Sequence, residues 1–175
     1  LAIDKILDKD EWNKRIEFTY IGNTPKDLSF KNTTVIKPLG EKELANELKK
    51  HNLYITGSIN EPSGNHHIEA AQCGLPILYI KSGGTSEYCD SFGIPYSIDN
   101  LEEKIILFMK NSSKYYEKMK TYSNDSKTMS KEFLDLFNSC IEIRKEITDN
   151  RQLEDINIVK KLYLNLKLKF RSIFR

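Results

Sequence analysis

Glu61 and Glu69 bracket the segment Pro62-Ser63-Gly64-Asn65-His66-His67-Ile68. An ionised carboxylate accepts hydrogen bonds through two oxygens, so each glutamate can hold neighbouring hydroxyls. Between them, at Gly64, Asn65 and His66, a polar loop turns into a helix. The first N–H groups of a helix have no internal partner and the helix dipole is positive there, which suits the junction to a phosphate. Gly64 allows a ligand close to the backbone. A second turn, Gly83-Gly84-Thr85, follows the next apolar run and can add backbone donors. Taken singly these features are ordinary: Glu69 reads as a surface helix residue, the histidines as a first helical turn, the glycine pair as a loop. Their joint arrangement is what points to a ligand carrying both phosphate and hydroxyls.

The elements around these residues place them. Residues 1–14 put Ile3, Ile6 and Leu7 on one face, with Trp12 extending it, and predict an amphipathic helix. Strands are expected at Ile16–Ile21, Thr33–Lys37, Leu53–Thr56 and Ile77–Ile80, with a minor one at Tyr96–Ile98. Helices are expected at Glu41–His51 and up to Cys73, where Gly74 and Pro76 end the second. Another follows Asp99, with Glu102 completing a capping box and Leu101, Ile105, Ile106 and Met109 as its buried face. Alternating strands and helices imply an α/β domain with a doubly wound, open parallel sheet of Rossmann-like type. In such sheets ligands bind outside the carboxyl ends of the strands. Gly22-Asn23, Pro38-Leu39, Ser58–His66 and Lys81–Glu87 all follow strands, so they are expected along one edge.

From Ser112 the pattern becomes helical, with helices at about Lys114–Tyr122 and Thr128–Glu146. In the latter, Phe133, Leu136, Phe137, Cys140, Ile141 and Ile143 follow helical spacing and read as core-facing. The expected organisation is a Rossmann-like domain at 1–110, a helical C-terminal extension packing on it at 111–150, and a basic apolar tail at 151–175. That tail is a candidate for contact with an anionic membrane surface, or for docking on a further domain.

Composition excludes several classes. A chain of 175 residues with 39% hydrophobic and 30% charged residues is ordinary for a soluble domain. A net charge of +2 gives no reason to expect nucleic acid as a partner. Cys73, Cys89 and Cys140 lack zinc or disulfide spacing and suggest a reducing, cytoplasmic setting. No apolar run approaches the ~20 residues of a membrane span. The first residues are acidic and amphipathic, lack a starting Met, and read as part of something longer.

A nucleotide-sugar would meet the site's requirements. One carboxylate, Glu69, can accept both hydroxyls of a ribose; the Gly64-Asn65-His66 turn suits the pyrophosphate; Glu61 suits the sugar's hydroxyls. At these same residues the chain resembles the donor half of retaining GT-B glycosyltransferases of the glycosyl transferase group 1 type. The resemblance rests on Glu61 through Glu69, Ala70-Ala71-Gln72-Cys73-Gly74-Leu75-Pro76-Ile77 and Gly83-Gly84-Thr85-Ser86-Glu87, with a weaker pattern from Tyr20-Ile21-Gly22 to the Leu53 strand. It covers roughly residues 1–145 and implies the C-terminal half of a GT-B fold.

It further implies transfer of a sugar, with retention, from a nucleotide-sugar to a glycan or lipid-linked acceptor. Glu61 would lie at the reacting centre, Glu69 at the ribose, Gly64, Asn65 and His66 at sugar and phosphates, and Pro38 and Leu39 beside the base. Gly22, Asn23, Gly83, Gly84 and Thr85 would complete the donor site. No metal or cofactor is implied, and the DxD pattern Asp8-Lys9-Asp10 reads as surface carboxylates. Where the family has Gly-Phe-Gly after the first glutamate, this chain has Pro62-Ser63-Gly64, so the sugar is left unnamed. The family's preceding strand, its Arg- and Lys-bearing loop and its N-terminal acceptor domain are not found in these residues. The chain alone is therefore expected to have little transferase activity. Two other classes compete: a sugar-nucleotide epimerase or phosphorylase relative, which lacks a candidate acid/base or lysine here, and a non-catalytic Rossmann-like regulatory module, which lacks an acidic cluster after the first strand.

Overall fold

The computed structural model describes residues 2–144, 146 and 148. The elements run α1 (Ala2–Leu7), β1 (Phe18–Ile21), β2 (Thr33–Ile36), α2 (Glu41–Leu48), β3 (Tyr54–Thr56), α3 (Asn65–Gln72), β4 (Ile77–Tyr79), α4 (Thr85–Cys89), β5 (Gly93–Pro95), α5 (Leu101–Met119) and α6 (Ser126–Glu142). The expected α/β alternation is therefore present. Every strand pairing is parallel, in two groups: β1–β2, and β3–β4–β5. The chain divides into two compact units, 1–128 and 129–175, so the expected domain end at residue 110 falls inside α5.

The core of the first unit explains this order. β4 is apolar on both faces, and Ile77, Leu78 and Tyr79 are fully buried, as expected for a central parallel strand. On one side Leu78 meets Ile3, Ile6, Leu7 and Trp12 together with Leu101, Ile105 and Phe108 of α5. On the other, Ile77 and Tyr79 pack with Ala71, Cys89 and Met119. The predicted apolar face of α1 is thus buried. Asp4, also buried, ties α1 to β2: its carboxylate accepts from the Thr33 hydroxyl at 2.8 Å and from the Asn32 N–H at 3.3 Å. Asp8 is engaged by Lys31 and by the Asn32 amide, in keeping with a surface role.

Four local expectations are corrected. The minor strand is Gly93–Pro95, where Cys89 and Ile77 crowd the backbone, and Tyr96–Ile98 leads into a short 3-10 turn. The capping box there is formed by Ser97 and Asn100, because Glu102 is taken by Trp12, whose indole N–H donates to it at 2.7 Å, and by Lys9. One helix, α5, spans both predicted segments through Asn111, where φ is −126° and ψ 18°. The apolar positions of α6 are not core: Phe133, Leu136, Phe137 and Ile141 are each more than half exposed, and no residue of α6 is buried among the described residues. The predicted tail at 151–175 lies outside the described residues.

Candidate functional site

β3 ends at Thr56, and the chain loops through Gly57–Ser63 before α3 begins at Asn65. Gly64 is the residue ahead of α3, extended at φ −91° and ψ 115°, and no side chain caps the helix. The N–H groups of Asn65, His66 and His67 have no hydrogen-bond partner among the described residues. A helix start with open N–H groups is therefore present at the expected loop–helix junction.

The side chains around it fix its shape. The His66 ring spans Tyr54 and Ser58: its Nδ1 lies 2.9 Å from the Tyr54 hydroxyl and its Nε2 3.2 Å from Ser58 Oγ. Burial, aided by the charge of Glu69, pushes the Tyr54 phenol up to about 12. The phenol therefore keeps its proton, and Tyr54 is assigned as donor to Nδ1, with Nε2–H donating to Ser58. Burial also lowers His66, against the opposing pull of Glu61 and Glu69, so the ring is neutral at pH 7. Both glutamates thus lie within electrostatic reach of the same imidazole. His67 is fully buried, edge-on to His66 with ring centroids 4.7 Å apart, and neither ring nitrogen has a partner. Burial, then the neighbouring His66, lowers its pKa.

Gly64 is where these rings allow no side chain. A Cβ there would stand 2.7 Å from His67 Cε1, 2.8 Å from His66 Nε2 and 3.1 Å from Glu61 Cγ. The second glycine turn packs on the same loop. Gly83 sits at φ +57°, and a Cβ on it would meet the Glu61 carbonyl oxygen at 2.5 Å. The Gly84 N–H donates to that oxygen at 2.8 Å. The Asn60 N–H donates to Ser82 Oγ at 2.9 Å. Thr85 is buried, and its hydroxyl accepts from the Ser82 N–H at 3.2 Å and lies 2.8 Å from the Ile80 carbonyl oxygen. Gly84 and Thr85, expected as backbone donors, thus brace the Glu61 loop: the Gly84 N–H is already donated and Thr85 is enclosed.

Glu69 is exposed and lines a cavity of about 340 Å³ between α2 and α3, with Glu41, Leu44, Leu48, Lys49 and Cys73. The turn Pro38-Leu39-Gly40 leads directly into Glu41 at the start of α2, with Pro38 exposed and Leu39 half-buried. Gly22 closes β1, with its N–H donating to the Ile36 carbonyl at 3.0 Å, and Asn23 offers its carbonyl to the Tyr20 hydroxyl at 3.1 Å. The loops after β3 and β4 are therefore joined directly, and the turn after β2 reaches Glu69 through α2. A larger cavity, about 730 Å³, contains none of the predicted site residues.

The histidine ring network was not foreseen. Its signal was present: Tyr54, Thr56 and Ser58 alternate on one side of an extended stretch, and His66, eight residues after Ser58, bonds the first and last of them. Among the described residues no three His, Cys, Asp or Glu side chains converge as a metal-binding set, and no helix is long and apolar enough to cross a membrane.

No curated protein matches the chain. Residues 26–126, more than half of its 175, match the family model described as glycosyl transferases group 1, and the matched stretch contains the open helix start, both glutamates and the glycine turn. The chain belongs to the glycosyl transferases group 1 family and is a glycosyltransferase domain of the GT-B type.

Proposed function

We propose that the α3 junction binds the donor of a glycosyl transfer, a nucleoside diphosphate sugar. The observation that carries this reading is the set of three unpartnered N–H groups at Asn65, His66 and His67, flanked by Glu61 on one side and Glu69 on the other. The N–H groups and the helix dipole stabilise the pyrophosphate, most of all when the departing diphosphate gains charge. Glu69 accepts the ribose hydroxyls at the α2–α3 cavity. Pro38 and Leu39 flank the base, and Gly22 and Asn23 border the same edge. Glu61, braced by Gly83 and Gly84, contacts the sugar near its reacting carbon. His66 does not act as a base, since Tyr54 and Ser58 hold both its nitrogens. It fixes the helix start.

The step breaks the bond between the sugar's anomeric carbon and the phosphate oxygen, and forms one from that carbon to an acceptor hydroxyl oxygen. The acceptor's proton passes to the departing phosphate. Attack from the face the phosphate leaves retains the configuration, with a glycan or lipid-linked molecule as acceptor and no metal required. These residues alone have little transferase activity in this reading, since every residue given a role here serves the donor. Calorimetry with UDP, GDP and their sugars, on the chain and on Glu69→Ala, tests the donor reading. Binding that weakens roughly 10- to 100-fold in Glu69→Ala agrees with lost charge-assisted bonds to two hydroxyls. Equal affinity in both proteins removes Glu69 from the site.

A further inference from the structure

His67 contributes twice to the α3 start. Its backbone N–H is one of the three open donors. Its ring lies behind Gly64, fully buried, and neither Nδ1 nor Nε2 has a partner among the described residues. Buried polar atoms are nearly always paired, so two orphaned nitrogens on one ring call for a cause. The ring turns its Cε1 corner, the carbon between those nitrogens, toward Gly64: a Cβ on Gly64 would stand 2.7 Å from it. Both nitrogens therefore lie on the ring edge nearer the helix start, and the residue at that edge has no side chain. The ionisable groups around the ring are His66, with ring centroids 4.7 Å apart, Tyr88 of α4, with centroids 5.5 Å apart, and Glu61 from the preceding loop. The two histidines differ in what a second ring proton would break. On His66 it would displace the hydroxyl proton that Tyr54 donates to Nδ1, and Nε2 is held by Ser58. His67 has no hydrogen bond to lose. Its ring is neutral in the free chain, because burial, then the neighbouring His66, disfavours the cation against the pull of Glu61.

We propose that His67 is the counter-charge of the diphosphate: a donor bound at the α3 start draws a proton onto the buried ring, and the imidazolium then attracts the diphosphate from behind the Gly64 backbone. The proposal rests on the donor reading above. A diphosphate is a polyanion, and it arrives beside two carboxylates, Glu61 and Glu69. The helix dipole offers only about half a positive charge against them. A nearby anion favours the charged imidazole, and the attraction is stronger in a desolvated site than in water. The orphaned nitrogens are then a reserve: the ring stays neutral and unbonded until the anion is in place. The proton comes from solvent and returns to it when the nucleoside diphosphate leaves, so no other bond is made or broken. By linkage, each pH unit by which the donor raises the ring's titration midpoint equals a tenfold tighter grip on the protonated chain. The donor site therefore tightens as pH falls, and it selects for phosphate charge whatever the base.

The test is a pH titration of the ring carbons of His51, His66 and His67, the three histidines of the chain, by ¹³C NMR with and without saturating UDP or GDP. The His67 midpoint should lie below the ordinary imidazole range in the free chain and rise by about one pH unit or more with the nucleotide. His66 and His51 should move less. Proton uptake on binding, read from how the heat varies with the buffer's ionisation enthalpy, should drop in His67→Gln. Nucleotide shifts at the Asn65–His67 amides with an unmoved His67 midpoint overturn the proposal and leave the donor reading standing. A rise confined to His66 overturns it in the same way, as does proton uptake unchanged in His67→Gln. No nucleotide binding at all overturns the donor reading and this proposal with it. Should His67→Gln fail to fold, the titration of the parent chain decides alone.

Discussion

Replacing Gly64 with alanine is the sharpest perturbation of the helix start. The added Cβ would lie 2.7 Å from His67 Cε1 and 2.8 Å from His66 Nε2, both inside the closest approach real Cβ atoms show. Neither ring yields easily. His67 is fully enclosed, and His66 is tethered at both nitrogens by Tyr54 and Ser58. Overpacking of this kind costs about 1–3 kcal/mol, and releasing one of the His66 hydrogen bonds about 1 kcal/mol more. A loss of about 2–3 kcal/mol is expected, which lowers Tm by roughly 8–12 °C for a unit of this size. The assay is thermal unfolding of Gly64→Ala beside the double variant Gly64→Ala/His67→Ala. If the clash is with His67, removing the ring makes the two changes less than additive, with a coupling of about 1 kcal/mol or more. A Tm within about 2 °C of the parent for Gly64→Ala, or strict additivity in the double variant, would refute the contact as the reason for glycine.

Gly83→Ala forces a positive φ on alanine and drives a Cβ into the Glu61 carbonyl; a cost of about 2 kcal/mol or more is expected, seen as faster proteolysis or amide exchange at 60–62. Both His66 and His67 titrate below their ordinary value in the folded chain because of burial. Unfolded imidazoles bind protons near pH 6.5, the folded ones only lower, so the unfolded state holds more protons in that window. Stability should therefore be full above about pH 6.5 and fall as pH drops toward the folded values, and His67→Gln should flatten that slope in Tm measured against pH. Glu102→Gln loses the Lys9 charge partner, whereas Glu102→Ala leaves the indole N–H of the buried Trp12 without its acceptor. The alanine variant should cost about 1 kcal/mol and shift the emission of Trp12, the single tryptophan.

The strand–helix alternation was legible because β4 is apolar throughout and α1 carries its apolar residues at helical spacing. What failed locally was decided by distant partners. Asp99 and Glu102 have capping-box spacing, but Glu102 is drawn to Lys9 and Trp12, residues some ninety positions away, and Ser97 takes the cap with Asn100. The periodicity of α6 announced an apolar face correctly and said nothing of what covers it, so its residues were read as core when they are exposed. At the site, the spacing of Glu61 and Glu69 around a helix start was readable from residue types alone. The two-histidine packing behind Gly64 was not, because His67 contributes a buried ring rather than a charge or a ligand atom. The glycine turn was read as a source of donors; in the structure it holds Glu61 in place.

The central claim is that the α3 start takes a phosphate-bearing donor. Titration of the ¹⁵N-labelled chain with UDP and GDP, following the backbone amides of Asn65, His66 and His67, tests it most directly. Saturable shifts are expected to concentrate at these three N–H groups and at Glu69, and to persist at Asn65–His67 with weaker affinity in Glu69→Ala. Saturable shifts confined to other residues, or none at these amides at nucleotide concentrations that produce binding heat, would contradict it.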